Sequence, residues 1–273
     1  MSRTLLNKVA IVTGASRGIG RSIALKLAEE GAAVMLAARN EELLKEAQAE
    51  ILSKGGKAAW LSLDLRRPEA PAQLVEKMIQ VLGGIDIVVN NAGATKRGDF
   101  LTLSEEDWMD GFALKFFGAV RLVRAAWPAL KERKGSVVNI AGVGGRTPGS
   151  QFTIGGSVNA AMLSFTKAMA DVGVGDGVQV NAINPGAVRT ARLATRLQTL
   201  AKEKGISAAE AEAQMVADAG ITKIGEPEDV ANLVAYIVSP QNRYLHGALI
   251  DLDGGTTKTM CFIQINPDEL RCC

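Results

Sequence analysis

The stretch Thr13-Gly14-Ala15-Ser16-Arg17-Gly18-Ile19-Gly20 holds residue types that let a backbone close around a phosphate. It follows an apolar run and opens an amphipathic window, so it reads as strand, turn and helix. In that setting Gly14 permits a tight turn, Gly18 lets the backbone approach a pyrophosphate, and Gly20 lets the helix pack close to the strand. The helix start then offers free N–H groups and a positive dipole end to the phosphates. Three glycines alone are weak evidence; in this context they are strong. Gly14, Ser16, Arg17, Gly18, Ile19 and Gly20 are therefore candidate contacts to a dinucleotide.

The second apolar run ends at Ala37-Ala38-Arg39. Sites that select NAD usually place Asp or Glu there, to accept from the ribose 2′-hydroxyl. Here the position is apolar and a guanidinium follows, a group whose donors match a phosphate bidentately. Arg39, with Arg17 as a second cation, favours NADP over NAD.

These residues need a scaffold, and the chain's periodicity supplies one. Strand-length apolar runs occur at Lys8–Val12, Ala33–Ala37, Ala58–Leu63, Ile85–Val89, Ser136–Ile140, Val178–Ile183 and Ala248–Leu252. Several are continuous rather than alternating, as parallel strands covered on both faces should be. Helical windows lie between them, near 18–30, 41–53, 69–82, 105–131, 157–172 and 228–238. The alternation predicts a Rossmann-type doubly wound α/β fold, a seven-stranded, mostly parallel sheet with helices on both faces. Asn40 should cap the helix starting at Glu41, Ser104 and Asp107 form a capping-box pattern, and Pro227 suits a first helical position. Residues 191–220 break the rhythm with charged helical sequence. They read either as a substrate lid or as an ordinary solvated helix pair.

Composition narrows the class. The 273 residues fit one domain, read as 1–257 with a tail at 258–273, and 47% hydrophobic content supports a sizeable core. Lys and Arg are scattered and the net charge is +2, which gives no footprint for nucleic acid or an anionic membrane. No apolar run is long enough to span a bilayer, and nothing before the first strand reads as a signal peptide. The expectation is a soluble cytoplasmic protein. Cys261, Cys272 and Cys273 all lie in the tail and, with one histidine in the chain, form no zinc pattern. No metal is expected.

Taken together, the motifs resemble the short-chain dehydrogenase/reductase superfamily. The pattern Thr-Gly-x-x-x-Gly-x-Gly is complete at 13–20, Asn90-Asn91-Ala92-Gly93 follows the fourth strand, and Asn184-Pro185-Gly186-Ala187-Val188-Arg189-Thr190 follows the sixth. The ending Leu252-Asp253-Gly254-Gly255 also matches, so the resemblance runs from about residue 7 to 257. It implies that Asp64 and Leu65 contact the adenine. It also implies that Asn91, Ala92 and Gly93 line the middle of the cofactor, and that Pro185, Gly186, Val188 and Thr190 hold the nicotinamide end. It implies a small-molecule substrate and assembly as a homodimer or homotetramer.

The same resemblance marks a departure. The family's active site holds Asn, Ser, Tyr and Lys, with Tyr as the acid/base on the substrate oxygen. Placed by motif spacing, the Ser position is Gly142 and the Tyr position, thirteen residues on, is Gly155. The Lys position four further is Asn159, and the Asn position seven after Trp108 is Lys115. Lys and Asn have thus exchanged places. If both reach one cavity, Lys115 can stabilise a developing alkoxide or, with a pKa depressed by burial, act as an acid. Asn159 can hydrogen-bond the ribose. The Gly155-Gly156 pair leaves either room for a bulkier substrate or a flexible helix entry. Ser150, Thr153 and Ser157 flank this gap as hydroxyls or as helix-start residues, and His246 reads as packed or exposed rather than as an acid. The favoured function is an NADP-dependent oxidoreductase moving hydride between the nicotinamide and a carbonyl or alcohol, with an altered proton relay. The alternative is a catalytically degenerate NADP(H)-binding regulatory or partner protein.

Overall fold

A computed structural model describes residues 3–257. The chain runs β1 (Val9–Thr13), α1 (Gly18–Glu29), β2 (Ala33–Ala38), α2 (Glu41–Ser53), β3 (Lys57–Ser62), α3 (Ala70–Leu82) and β4 (Ile87–Asn90). It continues through α4 (Glu105–Gly111), a π-helical turn (Phe112–Phe117), α5 (Gly118–Arg133), β5 (Ser136–Ile140) and α6 (Thr153–Asp176). It ends with β6 (Gln179–Pro185), α7 (Ala191–Lys204), α8 (Ala208–Ala219), α9 (Pro227–Val238) and β7 (Leu249–Leu252). The strands form one sheet in the order β3-β2-β1-β4-β5-β6-β7, and every neighbouring pair is parallel.

Strand alternation splits the core between the two faces. Ala10 and Val12 of β1 join Val34, Leu36, Ile23, Leu27, Leu44 and Val234 on the face covered by α1, α2 and α9. Val9 and Ile11 join Met35, Leu74, Met78, Val88, Leu122 and Leu130 on the face covered by α3 and α5. Leu27, Leu74 and Leu122 are fully enclosed, and each such side chain contributes about 1.5–3 kcal/mol. A sheet so covered is rigid, and its order reverses between β1 and β4. Ligands of open α/β sheets bind beyond the strand C-termini at such a reversal.

The capping signals hold. The Asn40 side chain accepts from Leu43 N at 2.8 Å, and Ser104 and Asp107 cap reciprocally at 3.3 and 3.1 Å. Pro227 occupies the first turn of α9, where the Asp229 carboxylate accepts from Glu226 N at 2.8 Å. Two helices differ from the sequence reading. The window 105–131 is broken into α4, a π turn and α5, the π turn lying between Gly111 and Gly118. These glycines let the chain press on its neighbours: a Cβ at Gly111 would lie 2.7 Å from Ile154 Cγ2, and one at Gly118 3.2 Å from Leu65 O. The window 157–172 starts earlier, at Thr153, because Gly155 and Gly156 are packed helix residues rather than breakers.

Residues 191–220 form two helices that pack on each other through Leu193, Leu197, Ala201 and Ala211. Among the described residues no helix is long and apolar enough to cross a membrane, and no group of three His, Cys, Asp or Glu is placed to hold a metal. Cys261, Cys272 and Cys273 fall outside the described residues.

Candidate active site

The phosphate loop leaves β1 through Thr13. Its hydroxyl accepts from Asn91 N and Ala92 N at 2.9 and 3.0 Å and donates to Val89 O at 3.2 Å. The Asn91 amide in turn donates to Thr13 O at 3.0 Å. The Asn-Asn-Ala-Gly turn is thereby bolted to the loop. Gly14 and Gly18 take left-handed φ of 67° and 54°, a region closed to most residues. A Cβ at Gly20 would lie 2.3 Å from Gly14 O and 2.4 Å from Asn91 Nδ2. Close packing of helix on strand therefore requires glycine there.

Helix α1 begins with no side-chain cap and no acid in its first turn. Its first N–H groups and positive dipole end remain available to an anion. Thr190, at the start of α7, reaches over this loop: a Cβ at Gly18 would touch its Cγ2 at 3.3 Å. Gly186 N donates to Leu252 O at 3.0 Å, and a Cβ at Gly186 would meet Asp253 at 2.8 Å. Pro185, Gly186, Val188 and Thr190 thus form the wall beyond β6. Arg39 lies beyond β2 with its side chain 65% exposed, its guanidinium 4.0 Å from the Asp64 carboxylate. Asp64 also accepts from Arg66 N at 3.0 Å, while Leu65 is turned into the core. Every cofactor contact expected from sequence therefore sits at the C-terminal edge of the sheet. This glycine cradle, uncapped helix start and exposed Arg39 fit a dinucleotide with a 2′-phosphate.

Lys115 and Asn159 meet. Lys115 belongs to the π turn, a helical irregularity frequent at functional sites. Its ammonium donates to Ala141 O at 2.5 Å and to Asn159 Oδ1 at 2.6 Å. Its methylenes pass under Gly93, where a Cβ would lie 2.9 Å from Lys115 Cδ. Asn159 is 3% exposed, and its Nδ2 lies against Gly142, where a Cβ would stand 3.0 Å away. Gly142 itself takes φ of 140°. The position read as Ser is thus filled by the amide of Asn159. Burial, helped by the positive charge of Arg192, lowers the Lys115 pKa to about 7. The two acceptors are neutral, so they orient the ammonium without a countercharge to restore its usual value.

The gap at Gly155 is closed. A Cβ there would lie 2.0 Å from the ring of Phe152, and one at Gly156 would lie 2.6 Å from Pro148. Neither extra substrate room nor a loose helix entry results: Phe152 fills the direction a tyrosine side chain would take. Arg97 stacks over this ring at 3.9 Å. Ser150 and Ser157 are exposed, and Thr153 opens α6 with its hydroxyl buried and unpartnered. His246 is structural, taking Val180 N on Nδ1 at 3.3 Å and contacting Ala170 O through Nε2 at 2.7 Å. Tyr236 and Tyr244 are exposed.

Arg192 donates to Gly93 O at 2.9 Å, which brings α7 to the site. Arg97, Phe152, Arg192 and Arg196 were not singled out from sequence. The available signal was the i, i+4 spacing of Arg192 and Arg196, which puts both on one face of α7. Surface hollows lie away from Lys115, one against β3 and α3 and one around Asp86 at the opposite edge of the sheet.

A family model described as enoyl-(acyl carrier protein) reductase matches residues 14–257. The chain is 35% identical to an uncharacterized oxidoreductase of Mycobacterium tuberculosis, over 92% of each chain. Its fold is similar to that of L-sorbose reductase from Gluconobacter frateurii, solved with NADPH and L-sorbose, at TM-score 0.91 and 31% identity over 95% of this chain and 100% of that one. It is also similar to an NADPH-bound short chain oxidoreductase from Pseudomonas aeruginosa that contains an atypical catalytic center, at TM-score 0.86 and 28% identity over 93% of this chain and 99% of that one.

Proposed function

The chain belongs to the short-chain dehydrogenase/reductase superfamily, and from that membership we propose that it is an NADP-dependent oxidoreductase whose proton relay runs through Lys115. The observation that carries this reading is the Lys115 ammonium, held between Ala141 O and Asn159 Oδ1 beneath Gly93. The NADPH present in similar structures and the acid-free end of β2 at Arg39 support NADP as cofactor. The atypical center of the Pseudomonas relative supports a catalytic group other than the usual tetrad.

Gly14, Ser16, Arg17, Gly18, Ile19 and Gly20 would cradle the pyrophosphate, and Arg39 the 2′-phosphate. Asp64 would flank the adenine, and Leu65, its side chain buried in the core, would meet it through its backbone. Asn91, Ala92, Gly93, Pro185, Gly186, Val188 and Thr190 would line the rest. When bound, NADPH supplies the hydride. Lys115 supplies the proton. An ammonium has three donors, and two are committed to Ala141 O and Asn159 Oδ1. The third is free for a substrate oxygen, where it stabilises negative charge and delivers its proton as the alcohol forms. With a pKa of about 7, both protonation states are accessible near neutrality, so the group can also accept the proton in the reverse direction. Asn159 acts through Lys115 as a positioning residue, its Oδ1 accepting from the ammonium, while its Nδ2 would remain available to a ribose hydroxyl. Residues 1–257 would work as one domain in a homodimer or homotetramer on a small-molecule substrate, with α7 and α8 as a lid over the site.

The test is NADPH oxidation by the purified protein against ketones, aldehydes and ketoacyl thioesters, with NADPH binding followed by fluorescence in the same samples. Turnover with micromolar or tighter NADPH binding is expected. Tight binding without turnover of any carbonyl would refute the reading and leave a cofactor-binding regulatory protein.

A further inference from the structure

Three exposed arginines of the loop after β4 and of α7, Arg97, Arg192 and Arg196, carry positive charge that the protein does not neutralise with an ion pair among the described residues. Arg97 sits in the loop between β4 and α4. That loop is held by Gly98 N donating to Gln151 O at 3.2 Å, and the guanidinium is stacked on Phe152 at 3.9 Å. Arg192 and Arg196 project from one face of α7, with Arg192 anchored on Gly93 O. Several acids of the same segments are paired with other cations: Asp107 binds Lys96 at 2.7 Å, and Glu212 and Glu226 bind Arg189 at 2.8 and 3.0 Å. The charges that act on Arg97 are repulsive, from Arg196 and Arg192; with partial burial as the larger cause, they hold its pKa below the ordinary value. Arg192 feels Arg17 in the same way and in turn depresses Lys115. A run of unpaired guanidiniums thus leads from the phosphate loop, past Lys115, to the ring that fills the tyrosine position.

A dinucleotide accounts for only part of this run. Arg39 lies at the 2′-phosphate position, and Arg17 with Arg192 lies at the phosphate loop. Arg97, stacked on Phe152, and Arg196, one turn along α7 from Arg192, remain. Guanidinium matches the planar oxygens of a carboxylate or the oxygens of a phosphate bidentately, and like charges held together without acids favour an anion between them.

We propose that the substrate carries an oxyacid group, a carboxylate or a phosphate ester, which Arg97 and Arg196 receive while its carbonyl oxygen faces Lys115. This rests on the reading of Lys115 as proton donor and narrows the substrate of that same site.

Matched probes test it. Benzoylformate is compared with its methyl ester, and dihydroxyacetone phosphate with dihydroxyacetone, in wild type, Arg97→Leu, Arg97→Lys and Arg196→Leu. kcat/KM is measured at low and high salt. Binding of each probe to the enzyme–NADP+ complex is measured by calorimetry, which needs no turnover. Charge-assisted hydrogen bonds predict that at least one anion is preferred over its neutral partner by roughly ten- to hundredfold. That preference should fall toward one in both Leu variants, fall partly in Arg97→Lys, and weaken with salt, while NADPH affinity stays within about threefold. Preference for benzoylformate alone assigns a carboxylate, and preference for dihydroxyacetone phosphate alone a phosphate. Equal binding of anion and neutral partner in wild type, or a preference untouched in both Leu variants, overturns the proposal. A preference seen in calorimetry with no reduction of any carbonyl overturns the oxidoreductase reading and leaves the anion site standing.

Discussion

Replacing Lys115 by Met separates a buried acid from an ordinary structural lysine, and the separation needs no known substrate. The lysine pKa is lowered from 10.5 to about 7 in the folded protein, mainly by burial and secondarily by Arg192. In the unfolded chain it returns to its ordinary value, so between pH 7 and 10.5 the unfolded state binds the extra proton. Stability therefore rises with pH across that window, and the full cost of the buried charge is felt below pH 7. At 1.36 kcal/mol per unit, that cost is at most about 5 kcal/mol. Met removes it and also forfeits the bonds to Ala141 O and Asn159 Oδ1, worth roughly 1–3 kcal/mol. The variant should be more stable than wild type at pH 6 and should lose that advantage as pH approaches 10. The assay is the difference in Tm or in urea midpoint between the two proteins from pH 6 to 10. Activity gives the second arm. Reduction needs the protonated lysine, so kcat/KM should be flat below pH 7 and fall about tenfold per unit above it, whereas oxidation should show the mirror image. Pairing of Arg192 with a cofactor phosphate would relieve its repulsion and move that midpoint upward. Lys115→Met should lower turnover by about 10²–10⁴ and abolish the limb. A stability difference independent of pH, or a limb that survives in the variant, would refute the reasoning.

Three further outcomes follow from named contacts. Asn159→Asp places a carboxylate against the Lys115 ammonium, which should raise the lysine pKa by about 1–3 units and carry the pH limb with it; an unmoved limb with reduced activity would make Asn159 merely structural. Arg39→Ala should weaken NADPH binding by roughly ten- to hundredfold and leave NADH unchanged, as read by fluorescence titration, because a guanidinium–phosphate contact is worth about 1.5–3 kcal/mol. Gly20→Ala puts a methyl 2.3 Å from Gly14 O, so thermal unfolding should show a loss of about 1–3 kcal/mol together with weakened NADPH binding; wild-type behaviour in both would mean that the helix can move away from the loop.

The sheet was legible mainly through its inner strands, which are buried on both faces, whereas the edge strands β3 and β7 are only partly covered. Val9 through Thr13 are buried without exception, and a continuous apolar run that ends in a glycine turn is the pattern a parallel strand between two helix layers requires. Caps were legible for a local reason: Asn40 and Ser104 bond within three residues of themselves. The break at 112–117 was not. A π turn costs one hydrogen-bond register and leaves no compositional mark, and it is set by what lies across from it, here Ile154 against Gly111 and Leu65 against Gly118.

The same distinction governs the site. Exchange of Lys and Asn was visible as a pair of identities, but their meeting depended on the π turn directing Lys115 beneath Gly93. Reading Gly155-Gly156 as vacant space failed because glycine in sequence records a missing side chain and says nothing about what moves in. Phe152, three residues upstream, moves in, and Arg97 stacks on it from another loop. This arrangement makes a tyrosine at 155 incompatible with the present site: Gly155→Tyr alone should destabilise by about 1–3 kcal/mol through overpacking, read as a fall in Tm. Combined with Phe152→Gly it should recover most of that loss, since the colliding atoms belong to the Phe152 ring. If the single variant is as stable as wild type, the ring does not hold the place of the tyrosine, and the cleft beside Lys115 is wider than these contacts make it.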